Sequence, residues 1–155
     1  MTDSLRLDLE QRSRTRFERS REAACVVPRD DAQREDIAGL GTLRWYLHPN
    51  LEDRVLSSLY MVEIELEAGM RSDRIKHPGN IVGIVVEGSG ELWLDGEVHE
   101  WSARDLLGIP SKPHGVLFDL FNTGEVPARI MLAFPNWDSA LGPGLGTGIE
   151  RNPVK

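Results

Sequence analysis

The sequence predicts an all-β fold of one domain, and three observations support this prediction. From Leu40 onward the chain consists of short runs rich in β-branched and apolar residues, separated by Gly, Pro and Asp-Gly. One of these runs, residues 60–67, places Tyr60, Val62, Ile64 and Leu66 on one face and three glutamates on the other, which is the period of a strand with one buried face. The length of 155 residues suits one domain with a real core. We therefore expect one β-barrel or two-sheet sandwich.

The net charge, the cysteine count and the lack of long apolar stretches argue against several classes of protein. The 18 basic and 25 acidic residues give a formal net charge of −7, which provides no general attraction to nucleic acid. Cys25 is the only cysteine, which excludes an internal disulfide and a CxxC zinc motif and fits a reducing compartment. Neither a signal-peptide pattern nor an apolar stretch of 18 residues is present. We predict a cytoplasmic protein with no nucleic-acid and no membrane partner.

The N-terminal segment differs from the rest of the chain in composition and in the spacing of its apolar residues. Residues 4–22 lack Gly and Pro, and Leu5, Leu9 and Phe17 recur at roughly helical spacing. Its arginines are interleaved with acids, which favours a solvated helix face over a nucleic-acid patch. The Gly-rich end of the chain can bury little and predicts a flexible tail. The predicted organisation is an arm at 1–38, a barrel at 39–137 and a tail at 138–155.

The β-region divides into about eight strands. In residues 60–67 the alternation directs Glu63, Glu65 and Glu67 to the solvent side, which argues against a metal site there. Asp95-Gly96 predicts a two-residue hairpin, because both residues tolerate positive φ. The remaining strands are predicted at 81–86, 92–94, 98–101, 106–109, 116–121 and 128–134. The predicted interior includes Ile64, Leu66, Val85, Leu94, Leu107 and Leu132.

Two motifs carry a family resemblance. Residues 77–96, HPGNIVGIVVEGSGELWLDG, place a histidine before a glycine turn, an apolar strand, Glu-Gly-x-Gly and a hairpin Asp-Gly. Residues 99–122, HEWSARDLLGIPSKPHGVLFDLFN, continue with Trp, Asp, an apolar pair, Pro and a strand ending in Phe-Asn. Together they resemble the core of the cupin superfamily, and more closely the small proteins related to gentisate 1,2-dioxygenase. The segment LRWYLHP at 43–49 resembles one common in that subgroup. The resemblance implies a jelly-roll barrel, or double-stranded β-helix, and a homodimer.

The resemblance also locates the family's metal ligands, and most of them are replaced. In metal-dependent relatives the first motif supplies two histidines two residues apart, and the matching positions here are Ile75 and His77. A further carboxylate or amide ligand matches Ile81 or, with a shifted register, Asn80. The second motif's histidine positions match Phe118 and Leu120. Because apolar side chains offer no lone pair to a metal, we expect no metal cofactor.

One rearranged metal site stays open as an alternative. His77, His114 and Asp119 would give two histidines and a carboxylate, a set that suits non-haem Fe(II). Strand alternation argues against Asp119, because Phe118 and Leu120 on either side of it are expected to face the barrel interior. His114 falls in the loop after Pro113.

Three functions remain open. In the first, the barrel binds a small aromatic or carboxylated molecule, and His77 serves a metal-independent lyase, isomerase or decarboxylase as general acid or base. In the second, the protein is an Fe(II) dioxygenase of aromatic-compound catabolism. In the third, it is a non-enzymatic oligomeric binding module. His48 and His99 are expected at the surface. Beside His77, the predicted ligand-binding residues are Ile75, Asn80, Ile81, His114, Phe118 and Leu120.

Overall fold

The computed structural model describes residues 5–51, 53–54, 58–137 and 150–152, and its fold is all-β, as predicted. A helix, α1 (Leu5–Glu22), and a 3-10 turn (Arg29–Asp31) precede the strands. The strands are β1 (Gln33–Ile37), β2 (Gly41–Leu47), β3 (Leu59–Leu66), β4 (Arg74–His77), β5 (Ile81–Glu87), β6 (Ser89–Leu94), β7 (Glu97–Ser102), β8 (Leu106–Ile109), β9 (Val116–Asn122), β10 (Ala128–Pro135) and β11 (Glu150–Asn152). Within the described residues, no helix is both long and apolar enough to cross a membrane.

The strands form two antiparallel sheets that share one core. The six-stranded sheet has the order β1-β2-β3-β10-β5-β8, and the five-stranded sheet has the order β11-β4-β9-β6-β7. Alternate side chains of both sheets point into one apolar cluster. The interior prediction is confirmed at Ile64, Leu66, Val85, Leu107 and Leu132, all of which are buried. Leu94 is only half-buried because it ends β6, immediately before the hairpin turn.

The hairpin between β6 and β7 is built as the Asp-Gly pair predicts. Asp95 has φ +48° and Gly96 has φ +103°, so both central residues are left-handed. The Asp95 carboxylate accepts hydrogen bonds from Lys112 Nζ at 2.6 Å and from the Leu117 N–H at 2.8 Å. These two bonds lower the pKa of Asp95. The turn is thereby tied to the loop that leads into β9.

The sheets extend beyond the segment 39–137 that the sequence assigns to the barrel. The helix in the arm is present, but β1 also lies within 1–38 and pairs with β2. Its sequence, QREDI, is mostly polar and gives no apolar alternation to recognise. In the predicted tail, β11 pairs with β4. Residues 138–149 and 153–155 lie outside the described residues, so the flexibility of the tail stays a prediction.

The three glutamates of the β3 region do not share a solvent face, contrary to the sequence prediction. Glu63 is only 2 % exposed, whereas Glu67 is exposed. Arg29 from the 3-10 turn covers the outer face of β3, with its Nε donating to Glu63 at 2.9 Å and its Nη2 to Glu65 at 2.5 Å. Arg129 Nη1 lies 3.5 Å from Glu63 on the other side. These ion pairs hold the segment before β1 against the six-stranded sheet.

Candidate functional site

His77 ends β4 on the inner face of the five-stranded sheet. Its backbone pairs with Val116 of β9, and Ile75 on the same face pairs with Phe118. The ring is 6 % exposed and lies edge-on to Phe134, with 5.1 Å between ring centroids. Its Nδ1 accepts a hydrogen bond of 2.9 Å from the Gly79 N–H. The turn after β4 therefore fixes the orientation of the imidazole.

This hydrogen bond determines which nitrogen carries the proton. Since Nδ1 accepts, the proton of the neutral ring is on Nε2. Burial lowers the pKa of His77, so the ring is neutral at pH 7. His77 therefore offers one N–H donor. It offers no Nε2 lone pair to a metal while the bond to Gly79 is kept.

His77 is the last ring in a row of five aromatic side chains. Phe134 stacks on Tyr60 at 5.0 Å and an interplanar angle of 17°. Tyr60 meets the edge of His48 at 5.2 Å, and Trp45 lies 5.3 Å from the same imidazole. We call Trp45, His48, Tyr60, Phe134 and His77 the aromatic row. It runs across four strands, because Trp45 is in β2, Tyr60 in β3, Phe134 in β10 and His77 in β4.

A cavity of about 310 Å³ lies at the Trp45 end of the aromatic row. Trp45 Nε1 donates to Glu35 at 3.1 Å, and His48 Nδ1 accepts from the Asn50 N–H at 3.1 Å. The neutral His48 ring therefore also carries its proton on Nε2. The residues around this cavity are Gln33, Glu35, Trp45, His48, Asn50 and Leu51. Ring faces with a few polar groups are the usual lining of a small-molecule site.

The predicted ligand-binding residues separate into two groups. Ile81, Phe118 and Leu120 are 1–3 % exposed and belong to the core cluster, with the half-buried Ile75 packed against it. Asn80 and His114 are exposed instead. Asn80 occupies a left-handed turn position, φ +59°, just before β5, and His114 lies in the turn closed by the hydrogen bond from the Gly115 N–H to the Lys112 carbonyl. The ligand-binding role of all six residues stays a prediction.

The alternative metal ligands do not converge. Asp119 is on the outer face of β9 and fully buried, where it accepts hydrogen bonds from Arg71 Nη1 at 2.6 Å and from Arg74 Nη2 at 3.3 Å. His77 is on the inner face and His114 is in an exposed turn. In the part of the chain that the structure describes, no group of three or more His, Cys, Asp or Glu could hold an ion. The donors present do not fit Fe(II), while the expected lack of a metal cofactor stays a prediction.

Sequence reasoning missed four members of the aromatic row. Strand alternation could have placed Trp45 with Leu43, and Tyr60 with Val62, on inward faces. His48 gives no such signal, because it follows the end of β2, and the sequence places it at the surface. The structure instead half-buries it against two rings. His99 is exposed, as expected.

The two sheets and the inward histidine at the end of β4 agree with the comparison of the sequence with known families. A model described as a cupin domain matches residues 62–134, which run from β3 to β10. This stretch of the chain is therefore similar to a cupin domain. No curated protein matches the chain.

Several solved structures share this cupin fold at low identity. An RmlC-like cupin from Shewanella frigidimarina has a TM-score of 0.56 and 19% identity over 73% of this chain and 91% of its own. The polyketide cyclase RemF from Streptomyces resistomycificus has a TM-score of 0.60 and 20% identity over 85% and 84%. A salicylate 1,2-dioxygenase from Pseudaminobacter salicylatoxidans has a TM-score of 0.61 and 18% identity over 92% of this chain, which spans 37% of the dioxygenase. These likenesses establish the fold alone.

The neutral, buried state of His77 predicts a loss of stability in acid. Because the pKa of the folded state is lowered, the contribution is present above the unfolded pKa of about 6.5 and is lost as the pH falls from there toward the folded pKa. The free energy of unfolding, measured with urea over this range, should fall more steeply for the wild type than for His77→Phe. His99→Phe, at an exposed site, should keep the wild-type slope. Equal slopes for the wild type and His77→Phe would contradict a buried neutral ring.

Proposed function

We propose that this protein binds a small aromatic molecule along the aromatic row, with His77 Nε2–H donating a hydrogen bond to an oxygen of that molecule. The observation that supports this most strongly is the continuity of the row from the cavity of about 310 Å³ at Trp45 to His77. Offset or edge-on aromatic contacts contribute roughly 0.5–1.5 kcal/mol per pair beyond burial. Trp45 and His48 of the row line the cavity, so a flat ring gains more there than an aliphatic ligand of equal size.

The polar groups at the two ends of the aromatic row orient the ligand. Glu35 is a carboxylate at the cavity, and it disfavours a second carboxylate there. His77 at the other end supplies the N–H donor. A carboxylate, carbonyl or phenolic oxygen of the ligand is therefore turned away from Glu35, toward the side of the aromatic row that leads to His77. Salicylate, which appears in the name of one of the similar proteins, is an aromatic carboxylate and has this chemistry.

If the protein is an enzyme, His77 stabilises the negative charge that develops on an oxygen of the substrate. A neutral imidazole with Nδ1 engaged by Gly79 is neither a general base nor an efficient acid, because loss of the Nε2 proton would leave an imidazolate. It can stabilise an oxyanion or enolate by hydrogen bonding in a site shielded from water. This role fits a metal-independent lyase, isomerase or decarboxylase whose intermediate carries charge on oxygen, and it replaces the acid or base role that the sequence suggests.

The binding test compares salicylate with cyclohexanecarboxylate, which carries a similar charge without a π-system. We expect salicylate to bind more tightly by calorimetry. His77→Phe, which keeps a ring and removes the donor, should weaken salicylate binding by about tenfold or more, the usual effect of losing a hydrogen bond to a charged group. The control His99→Phe and treatment with a chelator should leave binding unchanged. Equal binding of the two acids, or unchanged binding by His77→Phe, would refute the proposal.

The two alternative functions and the homodimer stay predictions. No observation among the described residues favours the Fe(II) dioxygenase, since its donors do not converge. A non-enzymatic binding module would show the same salicylate binding without turnover. The homodimer implied by the family resemblance stays a prediction, and light scattering at micromolar concentration tests it.

A further inference from the structure

A groove lies between β7 and β8, on the side of the barrel away from β1 and β11. Its volume is about 630 Å³. Within the described residues β7 pairs only with β6, and β8 only with β5, so each strand leaves one edge without a strand partner. The apolar residues that line the groove are Leu92, Leu94, Trp101, Leu106, Leu107 and Pro110. An unpaired strand edge beside an apolar floor is the arrangement that accepts an added strand.

Trp101 supplies a hydrogen-bond donor at this groove. Its side chain is 3 % exposed, and its Nε1 is buried and donates to no group in the described part of the chain. The indole packs closely over β6, since a Cβ at Gly90 would lie 2.5 Å from its ring. Buried donors without an acceptor are rare in native proteins, because each loses its hydrogen bonds to water without compensation. The N–H therefore lacks an acceptor, and a ligand oxygen that reaches it from the groove would supply one.

The polar residues at the groove carry mostly negative charge. Glu97, Glu100 and Asp105 line it and are exposed. Lys112 also lines it, but its Nζ is 2.6 Å from the Asp95 carboxylate, which neutralises its charge. His99 Nε2 lies 3.7 Å from Glu97. The groove therefore repels carboxylates and attracts cations.

We propose that this groove binds an extended peptide segment of alternating apolar and basic residues, which pairs as an added strand with β7. The apolar side chains cover the floor on the Trp101 face of β7, and the basic side chains meet Glu100 on its opposite face, while Glu97 and Asp105 add negative charge at the groove. A peptide oxygen accepts the Trp101 N–H. A small cationic molecule would leave the strand edge unpaired. A second copy of this chain has one described segment of this pattern, β4, and that strand is already paired with β9 and β11.

The test uses a fluorescein-labelled peptide of repeating Lys-Val, with repeating Glu-Val as the charge control, followed by anisotropy. We expect the Lys-Val peptide to bind, with an affinity that falls as salt rises, and the Glu-Val peptide to bind at least about tenfold more weakly. A Lys-Val peptide methylated on alternate backbone nitrogens should lose binding, since it cannot pair with a strand edge. Equal binding of the methylated peptide, or of decylamine, would refute strand addition.

Two protein variants separate the contribution of the Trp101 donor from that of the acidic side chains. Trp101→Phe removes the donor and keeps an aromatic floor, and it should weaken Lys-Val binding about five- to tenfold. The double variant Glu97→Gln and Glu100→Gln keeps only Asp105 of the three carboxylates and should reduce the preference for Lys-Val over Glu-Val several-fold. The matched control is Trp93→Phe, on the outer face of β6, and it should bind as the wild type does. Wild-type binding by Trp101→Phe, or an undiminished charge preference in the double variant, would overturn the proposal. His77→Phe should not affect peptide binding, so this proposal and the proposed function can fail separately.

Discussion

Asp119→Ala is expected to lower the free energy of unfolding by about 2–4 kcal/mol. The carboxylate is fully buried on the outer face of β9 and lies between the guanidinium groups of Arg71 and Arg74. Arg71 also packs over the Phe121 ring at 4.4 Å, and Arg74 over the Trp93 ring at 3.7 Å. Without the anion, two cations remain held close together. The expected loss is smaller than for a fully enclosed pair, because both arginines are about a third exposed and can be partly hydrated.

The measurement is urea unfolding followed by circular dichroism. Asp36→Ala is the matched control, because Asp36 also pairs with an arginine, Arg34, at 2.9 Å, but its side chain is 64 % exposed. An exposed pair of this kind contributes roughly 0.2–1 kcal/mol. Asp119→Ala should therefore cost several times more than Asp36→Ala. Equal losses would mean that the two guanidiniums do not depend on Asp119.

Asp119 also illustrates how far periodicity predicts this molecule. Alternation within β9 correctly directs Asp119 away from the interior, because Phe118 and Leu120 face inward. It does not predict that this outer position is buried. Arg71 and Arg74, which cover it, lie 48 and 45 residues earlier in the chain, and only the folded topology brings them over β9. Local sequence thus predicts the face of a strand but not what covers that face.

The same limit explains the other differences. Glu63 is on the predicted outer face but is covered by Arg29, 34 residues away. The aromatic row joins four strands and the loop after β2, and no single motif contains more than two of its members. The family resemblance points to His77 as a candidate, because its first motif begins at that residue. It did not identify Tyr60 or Phe134, because their role depends on the pairing of β3 with β10, which places the two residues opposite each other.

Gly79→Ala should be at least as costly as Asp119→Ala, with an expected loss of about 2–5 kcal/mol in the free energy of unfolding. Gly79 has φ +95°, and a Cβ there would lie 2.1 Å from the Pro110 carbonyl oxygen and 2.7 Å from Ser111 Cα. Alanine is strained at this φ, at roughly 1–3 kcal/mol. The contact with backbone adds a comparable amount, since the β4–β5 turn must move away from Pro110.

Substitutions at two other glycines separate the cost of the positive φ from the cost of the contact with Pro110. Gly96 has φ +103°, and a Cβ there would have no atom within 4 Å beyond its chain neighbours, so Gly96→Ala carries the conformational cost alone. Gly108, in β8, does not have a positive φ, and a Cβ there would also meet open space, so Gly108→Ala should be close to neutral. The expected order of losses in urea unfolding is Gly79→Ala, then Gly96→Ala, then Gly108→Ala. A Gly79→Ala variant no less stable than Gly96→Ala would contradict the close approach to Pro110.

The Gly79 substitution also tests how the turn acts on His77. The Gly79 N–H is the donor that keeps the His77 proton on Nε2. If the turn moves, Nδ1 loses this donor, the ring can adopt the other tautomer, and the N–H proposed to bind the ligand oxygen is no longer fixed. Folded Gly79→Ala should therefore bind salicylate about as weakly as His77→Phe does, whereas Gly96→Ala should bind as the wild type. Wild-type affinity in folded Gly79→Ala would mean that the imidazole is held by its contact with Phe134 and not by the turn.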